Sequence, residues 1–209
     1  MNENIATIKN WIGTGSINIF GLPLSGKDTV GIRLAETIDG KFLSSGMVLR
    51  EASKSNKDVR RAADSGLLTP TNLFYSLVLP YLGREDIAQF PLVLSSIGRW
   101  SGEEQTVMSS AQSAGHEIKA VLLLNVSEAD ILKRWEEVQI IQDRGGRVDD
   151  RNKAILDTRI KEFRTKTMPV IRTYYDLGLL ISINADQPKD AVFSEVIQKL
   201  AAFASAQKN

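Results

Sequence analysis

The segment Gly21–Thr29 constrains the fold more than any other part of the chain. It follows the apolar run Ile17–Phe20 and precedes a helical pattern, which predicts a strand, a glycine-bearing turn and a helix. Gly21, Gly26 and Lys27 have the GxxxxGK spacing of a phosphate-binding P-loop. In such a loop, N–H groups at a helix N-terminus bind phosphate and the lysine reaches the terminal phosphates. The pattern therefore favours nucleotide binding over a purely structural turn.

The residue after the lysine departs from this motif. Asp28 stands where Ser or Thr usually holds magnesium, and Thr29 comes one position late. A carboxylate beside a triphosphate repels it unless a cation intervenes. Two interpretations of Asp28 are therefore open: a contact with magnesium through water, or an N-cap of the following helix.

Apolar runs that are typical of strands alternate with helical patterns along the rest of the chain. The runs are continuous rather than alternating, as in a parallel sheet that is covered on both faces. They predict an α/β fold of the P-loop NTPase type, a doubly wound sheet of about five parallel strands flanked by helices. The predicted strands are 16–20, 42–44, 91–95, 120–126 and 179–183, and the predicted helices are 27–38, 47–54, 57–65, 70–82, 101–114, 127–142, 149–165, 168–177 and 188–204.

Composition excludes several function classes. The chain has 209 residues, which suits one domain, and its net charge of +1 without a long basic run gives no case for nucleic-acid binding. The absence of cysteine removes disulfides, thiolate catalysis and Cys-based metal sites. Residues 1–11 lack the apolar core of a signal peptide, and no apolar stretch approaches a membrane span of roughly 20 residues. We expect a soluble, cytoplasmic protein in which His116 is an exposed turn residue rather than a metal ligand.

Arginine is the residue type that would complete a phosphoryl-transfer site, because the migrating group must be surrounded by cations. Arg50 and Arg99 follow the second and third predicted strands, so both should point into the crevice at the carboxyl edge of the sheet. Arg144 and Arg147 flank a glycine pair in a basic turn. One guanidinium group can donate two parallel hydrogen bonds to the oxygens of a phosphate. The candidate arginines for this role are Arg50, Arg99, Arg134, Arg144, Arg147 and Arg159.

Several motifs occur in an order that resembles the adenylate kinase and uridylate–cytidylate kinase family of nucleoside monophosphate kinases. The resemblance covers nearly the whole chain, from about residue 17 to residue 200. In the first half of the chain, Gly21–Thr29 resembles GxPGxGKGT, Ser44–Arg50 resembles STGDxLR, and Gly66–Pro70 resembles the GxLVP stretch of the monophosphate base pocket. In the second half, Gly146–Asp150 resembles the GRxDD that ends a short lid. Arg159–Phe163 then resembles RLxxY, Thr167–Ile171 resembles TxPVI, and Tyr174–Tyr175 resembles a tyrosine pair.

The resemblance implies a reversible, Mg²⁺-dependent transfer of the ATP γ-phosphate to a nucleoside monophosphate, with AMP favoured and CMP or GMP as alternatives. It further implies a monomer with a helical subdomain for the monophosphate (NMP), inserted at 46–82, and a short lid at 136–148 that lacks a zinc-binding insertion. The implied ATP-binding residues are Gly21, Pro23, Leu24, Ser25, Gly26, Lys27, Asp28, Thr29 and Arg134. The implied NMP-binding residues are Ser45, Gly46, Arg50, Leu68, Gly98, Arg99, Glu103 and Glu104.

The resemblance also implies roles in the transfer itself. Lys27 would bind the donor phosphates, and Arg50 and Arg99 would clamp the acceptor phosphate. Arg134 would lie over the donor base. The transferring group would be neutralised by the lid arginines, which are Arg147 and Arg159 with Arg144 as a further candidate.

The chain departs from the family pattern at acidic positions and in the P-loop. Met47 replaces the acid of STGD, and Ser95 replaces the aspartate of DGFPRT, which orients hydrated magnesium. Our hypothesis is that Asp28 substitutes in part. Leu24 replaces a glycine, although leucine is poorly suited to positive φ.

The acceptor base is the least determined feature. Glu103 and Glu104 stand where the family often has an amide. A carboxylate accepts hydrogen bonds from the amino group of adenine, cytosine or guanine but gains nothing from a carbonyl, which disfavours uracil and thymine. The alternative is a solvated glutamate in the first turn of a helix. Trp100 could stack on the base, but packing is favoured.

Two other functions remain open from the sequence. The absence of the family's acidic residues at Met47 and Ser95 would also fit a catalytically weak nucleotide-binding protein that acts through its conformation. Retention of the candidate arginines of the phosphoryl-transfer site argues against that interpretation. A third reading is a P-loop kinase of another small acceptor.

Overall fold

The computed structural model describes residues 1–141 and 152–207, which contain a five-stranded parallel sheet. The strands follow the order β2-β3-β1-β4-β5, and every neighbouring pair is parallel. This confirms the predicted doubly wound α/β sheet. The strands are β1 Ser16–Gly21, β2 Lys41–Ser44, β3 Leu92–Ser95, β4 Ile118–Asn125 and β5 Leu180–Asn184.

Helices cover both faces of this sheet. Among the described residues, no helix combines the length and the apolarity that crossing a bilayer would require. The helices are α1 Asn2–Ile12, α2 Lys27–Thr37, α3 Ser45–Ser53, α4 Lys57–Ser65, α5 Thr71–Leu77, α6 Glu103–Ser113, α7 Glu128–Ile141, α8 Lys153–Glu162, α9 Met168–Asp176 and α10 Lys189–Ala206.

Alternate residues of the strands build two separate cores. Ile17 and Ile19 of β1 pack with residues of α1, α2 and α10 on one face. Phe20 of β1 packs on the other face, with residues of α6 and α9. Because β1 is central and buried along its whole length, the loop that follows it has a rigid base.

The interval between β2 and β3 contains α3, α4 and α5, so most of the predicted insertion at 46–82 is helical. The single helix predicted over 70–82 is wrong. Helix α5 ends at Leu77, and a 3₁₀ turn follows over Leu79–Gly83 because Pro80 supplies no backbone donor for an α-helix. Between α8 and α9, Phe163–Thr167 forms a π-helical turn.

The first helix was not among the predicted elements. Ile8 and Ile12 of α1 are fully buried, and Trp11 packs edge-to-face on Phe203 of α10 with ring centroids 6.0 Å apart. The apolar spacing of three to four residues is hidden among polar neighbours, so segment 1–11 looks mostly polar in the sequence.

The expectation of an exposed His116 is wrong. Its side chain is fully buried, and ring atom Nδ1 lies 2.7 Å from the carbonyl oxygen of Thr14. Ser16 donates through Oγ to the carbonyl oxygen of His116 at 2.8 Å. The turn that contains His116 is buried because Ser16, the first residue of β1, lies against it. The described residues contain no cluster of three or more His, Cys, Asp or Glu side chains that could hold a metal ion.

A buried amide in β1 fixes the segment that follows β3. Asn18 is fully buried; its Nδ2 donates to the carbonyl oxygen of Ile97 at 2.8 Å, and its Oδ1 accepts from the N–H of Ile97 at 3.3 Å. Both backbone groups of Ile97 are therefore satisfied by one side chain. This contact orients the chain two residues before Arg99.

We predict that Asn18→Leu lowers the free energy of unfolding by about 2–4 kcal/mol, because two buried backbone groups lose their partner. Urea denaturation measures this change. Asn10→Leu, at an exposed position of α1, is the control and should shift stability by no more than about 0.5 kcal/mol. Equal effects of the two substitutions would contradict the role of Asn18.

Candidate active site

The P-loop turn joins Gly21, the last residue of β1, to Lys27, the first residue of α2. The turn closes where the N–H of Ser25 donates to the carbonyl oxygen of Leu22 at 3.1 Å, and Gly26 adopts a φ of 89°. Lys27 Nζ donates to the same Leu22 oxygen at 3.3 Å. An ammonium group and the amides of a helix N-terminus therefore belong to one tight loop, which is the arrangement that binds phosphate.

The buried hydroxyl of Ser25 in this loop fits a phosphate oxygen. Ser25 is 3% exposed, and among the residues that the structure describes its Oγ has no hydrogen-bond partner. Leaving a buried hydroxyl unpaired costs about 1–3 kcal/mol, so a ligand oxygen there would be favoured. A Cβ on Gly21 would lie 2.5 Å from that Oγ, so only glycine fits beside it. Of the other implied ATP-binding residues, Pro23 is buried and Thr29 is exposed.

Leu24 adopts a φ of 63°, the conformation in which leucine was expected to be strained. Its side chain is 6% exposed and belongs to an apolar cluster with Ile131 of α7 and with Leu156 and Ile160 of α8. A left-handed φ costs a leucine about 1–2 kcal/mol. Complete burial of the side chain contributes about 1.5–3 kcal/mol, which offsets the strain.

Asp28 lies in the first turn of α2 and contacts the end of β3. Ser95 Oγ donates to Asp28 Oδ1 at 2.6 Å. The N-cap interpretation of Asp28 is wrong, because Gly26 is the N-cap and no side chain caps the helix. Ser95 occupies the position at which the family pattern DGFPRT has an aspartate. The Asp28 carboxylate, which belongs to α2, therefore provides a negative charge at the end of β3.

Arg134 of α7 contacts the backbone beside the P-loop. Its Nη1 donates to the carbonyl oxygen of Leu24 at 3.3 Å, and its Nη2 donates to that of Ala185, after β5, at 2.5 Å. The guanidinium group thus lies between the P-loop and the end of β5, on the side of the sheet opposite to β2. The resemblance implied a contact of Arg134 with the donor base, and that contact stays a prediction.

A cavity of about 130 Å³ lies beside α3 and α4, and we call it the α3–α4 cavity. A single water needs only about 10–15 Å³ by the same measure, so the cavity can hold a small organic group. Predicted residues that line it are Ser45, Gly46, Arg50, Leu68, Arg99, Glu103 and Arg159. Its apolar wall comes from Leu49, Val59, Ala63, Leu67, Phe74 and Trp100.

Gly98 and Glu104 are not among the lining residues. A Cβ on Gly98, whose φ is 77°, would lie 2.9 Å from Val107 Cγ2, so this glycine allows close packing on α6. Glu104 accepts from the N–H of Gly102 at 2.8 Å and from Thr173 Oγ1 at 3.4 Å. Contact of either residue with an acceptor stays a prediction without support from the cavity.

Glu103 is 2% exposed and is not the solvated glutamate of the alternative interpretation. Its Oε1 accepts from Thr71 Oγ1 at 2.6 Å. Its Oε2 accepts from the N–H groups of Arg99 and Trp100, at 2.8 and 3.0 Å. The carboxylate therefore fixes the arginine segment and still lines the cavity.

Arg99 and Arg159 give the α3–α4 cavity a strong positive charge. Burial, together with repulsion from Arg159, lowers the pKa of Arg99 to about 10, while Glu162 and Glu103 act in the opposite direction. Arg99 remains protonated at neutral pH, so the cavity suits an anion such as a phosphate group. Arg144 and Arg147 lie outside the described residues, as does much of the predicted lid at 136–148.

Glu162 contributes to this region although no motif assigned it a role. Its side chain is buried, and its Oε2 accepts from the N–H of Leu68 at 3.0 Å. The available sequence signal was its place four residues before Lys166, the spacing of a helical ion pair. That spacing alone does not reveal the contact with Leu68.

Known proteins resemble the chain in fold and in sequence. No family model matches the chain. A solved gluconokinase from Sinorhizobium meliloti 1021 has the same fold, with a TM-score of 0.63 at 19% identity, and the match covers 93% of this chain and 96% of that one. Adenylate kinases from Bartonella bacilliformis and Methanothrix thermoacetophila are 29% and 24% identical, over 80% and 90% of this chain and 90% and 99% of their own lengths.

An adenylate kinase from Mycobacterium tuberculosis is 30% identical over 186 residues, which cover 87% of this chain and 97% of that protein. The similarity therefore extends over most of the chain, including the segments that line the α3–α4 cavity. The chain belongs to the adenylate kinase family of nucleoside monophosphate kinases.

Proposed function

We propose that the protein catalyses the reversible, Mg²⁺-dependent transfer of the γ-phosphate of ATP to a nucleoside monophosphate, with AMP as the preferred acceptor. One observation carries this proposal. Ser95, the last residue of β3, contacts Asp28, which is the residue after the P-loop lysine. Four residues after Ser95, the chain reaches Arg99 in the α3–α4 cavity. The P-loop and the cationic α3–α4 cavity therefore adjoin, which supports a donor site beside an acceptor site. The adenylate kinase relatives support AMP among the monophosphates.

The residues divide the work between the two substrates. Lys27 and the P-loop amides hold the donor phosphates, and Arg134 contacts the donor nucleotide. Arg50 and Arg99 hold the acceptor phosphate, while Arg159 neutralises the transferring group. This is electrostatic catalysis with little need for a general base. From the family resemblance we also propose Arg147 and Arg144 as partners of Arg159, and a cytoplasmic monomer.

Asp28 and Ser95 fit the oxygen ligands that Mg²⁺ prefers, directly or through its bound waters. A magnesium ion held there would supply positive charge that compensates the phosphate groups. Asp28 would hold its hydration shell from the first turn of α2, and Ser95 would orient the carboxylate through the 2.6 Å hydrogen bond.

The catalytic role of Lys27 is tested with a panel of AMP, CMP, UMP, GMP and their deoxy forms, with MgATP as donor. We predict diphosphate formation from AMP and a loss of about 10²–10³-fold in Lys27→Ala, because a cation is removed from the transition state. The control is Lys9→Ala, which disrupts only an exposed pair with Asp39. Binding of both nucleotides without phosphoryl transfer would favour a nucleotide-binding protein that acts through its conformation. Failure of every monophosphate to bind would favour another small acceptor.

The magnesium role of Asp28 is tested by measuring ATP affinity with and without the ion. We predict that Asp28→Ala binds MgATP roughly tenfold more weakly, for one lost charge-assisted contact, but binds metal-free ATP more tightly because repulsion is removed. Asp190→Ala, a first-turn aspartate of α10 in an exposed pair with Arg33, should change neither affinity. An unchanged magnesium dependence in Asp28→Ala would exclude this role.

The base preference follows from the hydrogen bonds of Glu103. A carboxylate has about four acceptor positions. Three are used by Thr71, Arg99 and Trp100, and the one that remains is on Oε1. We predict that kcat/KM for AMP and CMP, which offer one amino group, exceeds that for UMP by at least about tenfold, because a carbonyl would face the carboxylate. Equal use of UMP and AMP would show that Glu103 does not read the base.

A further inference from the structure

Three contacts join the loop after α4 and the first residue of α5 to the rest of the protein. Leu68 donates its N–H to Glu162, Thr69 accepts from Trp100 Nε1 at 3.2 Å, and Thr71 donates to Glu103. Leu68 and Thr69 line the α3–α4 cavity. One wall of the cavity is therefore attached to α8, to the segment after β3 and to α6.

The contact with Glu162 is the longest-range of these and is supported from behind. Lys166 Nζ donates to Glu162 Oε2 at 2.7 Å and lies 3.8 Å from the centroid of the Trp100 ring. Trp100 in turn donates to Thr69. Glu162, Lys166 and Trp100 thus form a chain of contacts that begins and ends on the adjacent residues Leu68 and Thr69.

The α4 end of this wall also packs closely on α8. Gly66, with a φ of 72°, ends α4, and a Cβ there would lie 2.8 Å from the carbonyl oxygen of Ile155 and 3.2 Å from Arg159 Cγ. Both are residues of α8, the helix that carries Arg159 into the cavity. A shift of the wall away from α8 would therefore change the distance between the apolar residues of the cavity and this arginine.

Helix α8 contacts the P-loop as well, because Leu156 and Ile160 pack with Leu24. The same helix therefore contacts the donor loop through its apolar residues and the cavity wall through Glu162. We infer that Glu162 is a positioning residue for the acceptor: it holds the backbone of Leu68 so that the wall of the α3–α4 cavity keeps a fixed position relative to Arg159. This role rests on the proposed function.

Glu162 also affects the charge of the cavity. Glu162 and Glu103 are the carboxylates that oppose the lowered pKa of Arg99. Removal of the Glu162 carboxylate would by itself make the cavity more positive and favour an anion, and this effect is common to Glu162→Ala and Glu162→Gln. Only Glu162→Ala also frees the Leu68 backbone.

The test compares Glu162→Ala, Glu162→Gln and the control Asp157→Ala. Asp157 is also on α8 and pairs with a lysine four residues away, Lys153 at 3.2 Å, but that pair is exposed. Calorimetric titration gives the affinities for AMP and for MgATP separately. Hydrogen exchange measured by NMR reports the Leu68 amide, and thermal unfolding reports stability.

We expect Glu162→Ala to weaken AMP binding at least about tenfold, which corresponds to the loss of a hydrogen bond to a charged group. MgATP affinity should stay within about twofold, and the Leu68 amide should lose protection. Glu162→Gln should restore most of the AMP affinity, since its Oε1 can accept from the same N–H. Asp157→Ala should match the unmodified protein in all three measurements.

Equal weakening of AMP and MgATP, or unchanged AMP binding despite loss of protection at Leu68, would overturn the positioning role. These outcomes leave the proposed function intact, because it is tested by transfer in the unmodified protein. Failure of the unmodified protein to bind any monophosphate would overturn both.

Discussion

Parallel pairing between β1 and β3 is the constraint on which the site depends. The register pairs Ile19 with Ser95, so the P-loop and the arginine segment leave the sheet at the same edge and nearly the same height. The Asn18 amide then fixes Ile97, and the Glu103 carboxylate fixes the N–H of Arg99. The P-loop and the α3–α4 cavity adjoin because two neighbouring strands end together.

Charge balance is the second requirement of this site. Arg99 and Arg159 are close enough to lower the pKa of Arg99, and such a pair is costly unless anions compensate. Glu103 and Glu162 supply part of that compensation, and both also accept backbone N–H groups. The same carboxylates therefore stabilise the arginines and hold the loops that surround them.

The sequence predicted the fold well because β3 and β4 come from continuous apolar runs and the P-loop has a fixed spacing. It also predicted which arginines line the cavity, since Arg50 and Arg99 follow strands at a known edge. It did not reveal helix α1 or the burial of His116, which depend on packing partners far along the chain. The contacts Asp28–Ser95 and Glu162–Leu68 join residues 67 and 94 positions apart, so no local pattern could reveal them.

The left-handed Leu24 has a consequence for the thermodynamics of nucleotide binding. A glycine at this position would let the P-loop sample many backbone conformations, and a ligand would have to restrict them. The buried leucine side chain already restricts the loop when the chain folds, because Ile131, Leu156 and Ile160 surround it. We therefore expect ATP to bind with a smaller loss of conformational entropy than in a loop with glycine at this position.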